Sequence, residues 1–140
     1  MVKTARAIII EDNKLLVFFR RKIVDGIEKI YYAIPGGHVE DGETCEGAVI
    51  RELKEEMNID IELIEYLGNL IIDNDKEENY YYAKILGGEL KLSGEELDRN
   101  CSDNYYEIRW LPISELDNSG IRSIKFIKRV LENENWYIFE

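Results

Sequence analysis

Glu52, Glu55 and Glu56 stand at i, i+3 and i+4 inside the stretch GGHVEDGETCEGAVIRELKEEMNI, residues 36–59. On a helix they share one face, a turn apart. Val49, Leu53 and Met57 recur at i, i+4 and i+8 with Ile50 beside them, a separate apolar stripe for burial. Thr44 is placed to cap such a helix, with Glu46 in its first turn where the helix dipole favours negative charge. Like charges at i,i+4 destabilise a helix by roughly 0.2–0.5 kcal/mol per pair. Glu40 and Glu43 in the preceding loop add to the crowding, and only Arg51 and Lys54 are at hand to offset it. A hard divalent cation, Mg²⁺ or Mn²⁺, held by several carboxylate oxygens would turn that repulsion into ligation. The competing reading is a solvated acidic face, and charge alone does not separate the two.

Spacing separates them. Gly37, five residues, Glu43, seven residues and then Arg51-Glu52-Leu53-Lys54-Glu55-Glu56-Met57-Asn58-Ile59 resembles the Nudix box, G-x5-E-x7-R-E-U-x-E-E-x-G-U, where U is a bulky aliphatic residue. The last glycine alone is replaced, by Asn58. Asn is the next-best residue for a left-handed helix C-terminus, so the backbone role survives. The resemblance implies a Nudix-type α/β/α sandwich around a mixed β-sheet, spanning residues 1–140 as a single domain. It further implies metal-dependent hydrolysis of a diphosphate linkage in a nucleoside diphosphate derivative or a nucleoside triphosphate. In that scheme Glu52, Glu55 and Glu56 ligate Mg²⁺ or Mn²⁺, with the Gly37 carbonyl completing the set. Arg51 pairs with Glu43 or Glu40, or orients Glu52. The general base is a helix glutamate or a later carboxylate near Glu107.

The chain has 140 residues, 45% apolar and 34% charged, enough for one globular core. A net charge of −11 argues against general binding to nucleic acid or anionic membrane, though a bound metal can still mediate nucleotide binding. No apolar run approaches transmembrane length and no signal-peptide pattern opens the chain. Cys45 and Cys101 stand apart without a CxxC, which points to free thiols and a cytoplasmic location. Two alternatives stay open: a non-catalytic nucleotide-sensing or protein-binding domain, and a pyrophosphohydrolase of RNA 5′ ends. The second lacks the basic track such a strand requires.

The elements that must position the box follow from local patterning. Thr4–Glu11 and Lys14–Arg21 read as a β-hairpin about the turn Glu11–Lys14. Arg20 and Arg21 end its second strand, and the resemblance implies that one of them meets substrate phosphates, a task suited to the planar guanidinium. Asp25-Gly26 is a turn, and Ile30–Ile34 a strand stopped by Pro35. Ile61–Ile72 and Asn79–Leu86 read as strands joined through Asp73–Glu78. Alternation puts Tyr81 on one face, with Tyr80 and Tyr82 on the other. These rings read as core, with Tyr81 a further candidate for stacking on a base. A long polar insert runs from Gly87 to Asn104 and is followed by Glu107. The resemblance implies an extra carboxylate in this region, Glu107 ahead of Asp103 and then Glu96. A last strand at Ile108–Leu111 precedes a helix opening near Ser119 with the stripe Ile121, Ile124, Ile127, Val130 and Leu131. Its cations Lys125, Lys128 and Arg129 sit toward the expected C-terminal end. The apolar tail Trp136-Tyr137-Ile138-Phe139 either folds back on the domain or forms a homodimer contact.

Overall fold

The computed structural model describes the backbone of residues 1–138 and the side chains of residues 1–94 and 97–133. In chain order the elements are β1 (Val2–Ile8), β2 (Ile10–Glu11), β3 (Lys14–Val24), β4 (Ile27–Ala33), β5 (Gly36–His38) and α1 (Cys45–Met57). Next come β6 (Ile59–Ile72), β7 (Lys76–Gly88), α2 (Gly94–Arg99), β8 (Asn104–Pro112), a 3-10 turn (Ile113–Asn118) and α3 (Ile124–Ile138). A mixed sheet has the order β5-β1-β7-β6, with β1 parallel to β7 and the other pairs antiparallel. A second, antiparallel sheet is built on β3, which pairs with β2, β4 and β8.

The expected hairpin is divided between these sheets. Only Ile10–Glu11 turns back onto β3, through Asp12 and Asn13 in the left-handed region. The preceding strand instead lies between β5 and β7, parallel to a partner more than 70 residues away. Local patterning carries no signal for so distant a partner. The strands β6 and β7 are also longer than their apolar runs suggest, because Asp73 and Asn74 at φ 51° and 59° close a tight turn.

The mixed sheet is covered on both faces, which completes the α/β/α sandwich. Ala5, Ala7, Tyr81 and Ala83 pack with Ala48, Val49, Leu53 and Met57 of α1 in one core. Ile8, Tyr80 and Tyr82 pack with Phe126, Ile127 and Val130 of α3 in the other. The two alanines of β1 let the helix approach closely. Full burial of Leu53 and Met57 contributes about 1.5–3 kcal/mol each. The last helix starts at Ile124, later than its stripe implies, so Lys125, Lys128 and Arg129 fall in its first half. Arg129 pairs with Glu65 and Lys128 with Asp117, so tertiary partners rather than the helix dipole account for them. The expectation for the apolar tail concerns side chains outside the described residues. Among the described residues, no helix is long and apolar enough to cross a membrane.

Candidate active site

The box helix is held at both ends by the groups its sequence provides. The Thr44 hydroxyl accepts from Gly47 N at 3.0 Å. At the other end Asn58 takes φ 59° and ψ 35°, its N–H reaching the Leu53 and Lys54 carbonyls. Its amide donates to Glu89 O at 2.9 Å, so Asn58 fills the left-handed position of the missing glycine. Ser93 ties down the last turn, with its N–H on Glu56 O and its hydroxyl on Glu55 O.

One cation organises the carboxylates. Arg51 Nε donates to Glu43 Oε2 at 2.7 Å and its Nη2 to Glu43 Oε1 at 3.0 Å, a two-pronged pair. Its Nη1 reaches Glu52 Oε1 at 3.1 Å and Glu55 Oε2 at 3.2 Å, while Nη2 also donates to His38 O. Glu40 stands 3.8 Å away. The Arg51 hydrogen bonds, and then the Glu40 backbone N–H, hold the Glu43 carboxyl down at about 2. Arg51 in turn is held firmly cationic by Glu43. Arg51 thus contacts the loop glutamate Glu43 and the helix glutamate Glu52 together.

Glu52 is the buried member of the trio, at 9% exposure. Its carboxylate lies against Gly37, where an added Cβ would come within 2.6 Å of Cδ and 2.7 and 2.8 Å of the two oxygens. Glu52 and Glu56 line a cavity of about 650 Å³ together with Gly36, Gly37 and His38. Glu55 opens onto a neighbouring cleft with Glu40, Arg51, Glu52, Glu56 and Gly94. All these donors are oxygens, the set suited to a hard divalent cation. Among the described residues, no three His, Cys, Asp or Glu side chains form a preassembled cage. Arg51 bridges the carboxylates instead, so any entering cation would compete with its Nη1 for Glu52 and Glu55.

Alternation along β3 distinguishes the two arginines. Arg20 faces the large cavity, its guanidinium 3.6 Å from the Tyr106 ring centroid and 5.6 Å from that of Tyr31. Its Nη2 donates to Asn104 Oδ1, while its buried Nε has no hydrogen-bond partner among the described residues. Arg21 points the other way and pairs with Glu28 at 2.9 Å.

Other candidates lie away from the cavity. Glu107 is on the opposite face of β8 from the cavity-lining Tyr106, two faces being the consequence of strand periodicity. There it accepts from Arg109 Nε at 2.9 Å and the Tyr105 hydroxyl at 2.8 Å. Arg109 and then Tyr105 hold its carboxyl below the usual range. Asp103 is exposed in the turn before β8, where its backbone carbonyl accepts from Ile23 N. Tyr81 is buried under α1 with its hydroxyl on Glu46 at 3.0 Å, so its ring faces core rather than cleft. The Glu96 side chain lies outside the described residues. Sequence reasoning passed over Tyr31, Tyr106, Arg6 and Glu78, all of which line the cavity. Arg6 had a signal, being a charge between the alanines of an apolar strand, whereas Glu78 sits in the polar stretch read as a turn and gave none.

A family model described as NUDIX domain matches residues 1–130. The chain belongs to the Nudix family. A relative from Methanocaldococcus jannaschii named ADP-ribose pyrophosphatase is 31% identical over 120 residues, covering 81% of this chain and 66% of that protein. A relative from Mycobacterium tuberculosis is 35% identical over 100 residues, 66% of this chain. The matched stretches span only 37% of the mycobacterial protein and 25% of a Caenorhabditis elegans relative. Among solved structures, a UDP-X diphosphatase superposes with TM-score 0.67 at 18% identity, covering 95% of this chain and 64% of that one. A Nudix hydrolase from Nitrosomonas europaea gives TM-score 0.66 at 18% identity, covering 96% and 88%. These likenesses establish the shared Nudix fold.

Proposed function

We propose that this chain hydrolyses the diphosphate linkage of a nucleoside diphosphate derivative, using Mg²⁺ or Mn²⁺ held by Glu52, Glu55, Glu56 and the Gly37 carbonyl. The observation that carries this reading is the opening of Glu52 and Glu56, one helical turn apart, into the large cavity that Arg20 also faces. A divalent cation at these oxygens supplies Lewis acidity and lowers the pKa of a coordinated water. Arg51 and Glu43 fix the loop before the helix, and Arg51 orients Glu52. Gly37 leaves Glu52 its space. Arg20 offers an unpaired Nε donor to a phosphate oxygen. Water attacks phosphorus, the bridging P–O bond breaks, and its electron pair leaves with the departing phosphate. The proton lost by water passes to a helix carboxylate; Glu107 lies on the face of β8 opposite the cavity-lining Tyr106. Free Cys45 and Cys101 agree with a reducing cytosol.

A panel of diphosphate compounds, scored for phosphate release with and without Mg²⁺, tests the reading. ADP-ribose leads the panel because the archaeal relative carries that name, and a capless 5′-triphosphate RNA is included. Metal-dependent turnover of a small nucleotide, reduced ~100-fold or more by Glu56→Gln in a folded protein, is the expected result. Binding without turnover across the panel would instead support the non-catalytic alternative.

A further inference from the structure

The cavity that receives Glu52 and Glu56 continues past β5 to a second group of charges on the α3 side. There Glu78, 4% exposed, is surrounded by cations: Arg6 Nε at 3.6 Å and Lys76 Nζ at 3.7 Å both face its Oε1. The Tyr80 hydroxyl donates to Oε2 at 2.5 Å. Burial alone would raise the Glu78 carboxyl, but Tyr80, Arg6, Lys76 and Arg122 hold it below the usual range, and it is ionised. One carboxylate against three cations leaves a surplus of two positive charges at this corner. The bias extends to the whole cavity. Among the described residues, five Lys and Arg side chains line it, against three Asp and Glu. In a protein of net charge −11, that inversion of sign is local.

The strand between the two groups carries glycine where side chains would block the way. Gly36 pairs with Arg6, and a Cβ there would come within 2.9 Å of Arg6 Cγ. A Cβ on Gly37 would meet Glu52. Consecutive strand residues face opposite ways, so β5 presents the basic corner on one side and the acidic pair on the other.

We infer that Arg6, Lys76 and Arg122 form an anion subsite that receives a third phosphate group of the substrate, beyond the two of the diphosphate held at the box. This extends the proposed reading of the same cavity and narrows the substrate to compounds with a further phosphate. That oxyanion comes either from a longer phosphate chain or from a phosphate ester on the moiety beyond the diphosphate. Glu78 is a positioning residue, fixing Arg6 and Lys76 while Arg122 stays exposed at the rim.

The test is done in EDTA, so that it does not depend on hydrolysis or on the box carboxylates. Calorimetric titration of the intact protein with tripolyphosphate, and separately with ribose 5-phosphate, reads occupancy of the corner and tells its two sources apart. At least one probe binds in the millimolar range or tighter. Arg122→Gln and Lys76→Gln each weaken it about tenfold, the scale of one charge-assisted contact. Lys125→Gln, which removes an exposed cation outside the cavity, leaves affinity unchanged. Absence of binding by both probes overturns the subsite, as does equal affinity in all three variants. Either result leaves metal-dependent turnover in the panel untouched.

Discussion

Replacing Gly37 by alanine separates the chemistry of this site from its folding. Gly37 has no positive φ, so alanine fits its backbone. Gly→Ala at a compatible position stabilises by about 0.4–1 kcal/mol through the unfolded chain. The three atoms nearest the added Cβ all belong to the end of the Glu52 side chain, the first at 2.6 Å. Ordinary van der Waals contact begins at 3.4 Å, so the carboxylate must move by about 0.8 Å. A misplacement of about 1 Å at a reacting centre costs on the order of 100-fold in rate, or about 2.7 kcal/mol in the barrier. Gly37→Ala therefore keeps a melting temperature close to the parent. It loses about two orders of magnitude in kcat/KM on whichever panel compound is turned over, and needs more Mg²⁺ for half-maximal rate. Gly36→Ala is the opposite case. At φ +145°, its Cβ would run into the Ala5 carbonyl oxygen and lie 2.7 Å from Arg6 Cα. Backbone cannot step aside, so the fold itself weakens. Thermal melts and steady-state rates on both variants decide the matter. A Gly37→Ala protein with parental rate and metal requirement would refute the placing of Glu52 at the reacting centre.

Two further outcomes follow from the charge network. Glu43 has a folded-state pKa of about 2 against 4.5 for the free group. A depressed carboxyl contributes stability above its unfolded pKa and loses it as pH falls through the folded value. The Arg51–Glu43 clamp thus holds at neutral pH and weakens from about pH 4.5 down to about 2. A carboxyl-detected NMR titration of Glu43 reads this directly, and a midpoint near 4.5 contradicts it. Glu107→Gln leaves kcat/KM within about twofold and costs less than ~1 kcal/mol of stability, because its partly exposed pair with Arg109 is screened by water. A loss of turnover beyond tenfold would show that Glu107 reaches the reaction after all.

The box helix was legible because its signals are local. Thr44, the apolar stripe and Asn58 each act within a turn of their own position. For Arg51 the motif left Glu43, Glu40 and Glu52 as candidate partners, and the structure places it within 3.8 Å of all three. What stayed hidden depends on distant partners or on strand parity. The parallel pairing of β1 with β7 joins segments with no local turn between them. Arg20 and Arg21 are equivalent as residue types, and only the register of β3 against β8 turns Arg20 inward. The same parity sends Glu107 away from the cleft while Tyr106 enters it. Glu78 and Arg6 meet across that unforeseen strand pair, so their corner of the cavity was not visible beforehand.

The helix carboxylates are proposed to receive a divalent cation. A Mn²⁺ titration followed by electron paramagnetic resonance measures this without needing the substrate. Parent protein is expected to deplete the free-Mn²⁺ signal saturably, and Glu52→Gln and Glu56→Gln each to weaken that binding by at least about tenfold, the scale of losing one charged ligand. Equal Mn²⁺ uptake by the parent and both variants, all folded, would rule out Glu52 and Glu56 as ligands of the cation.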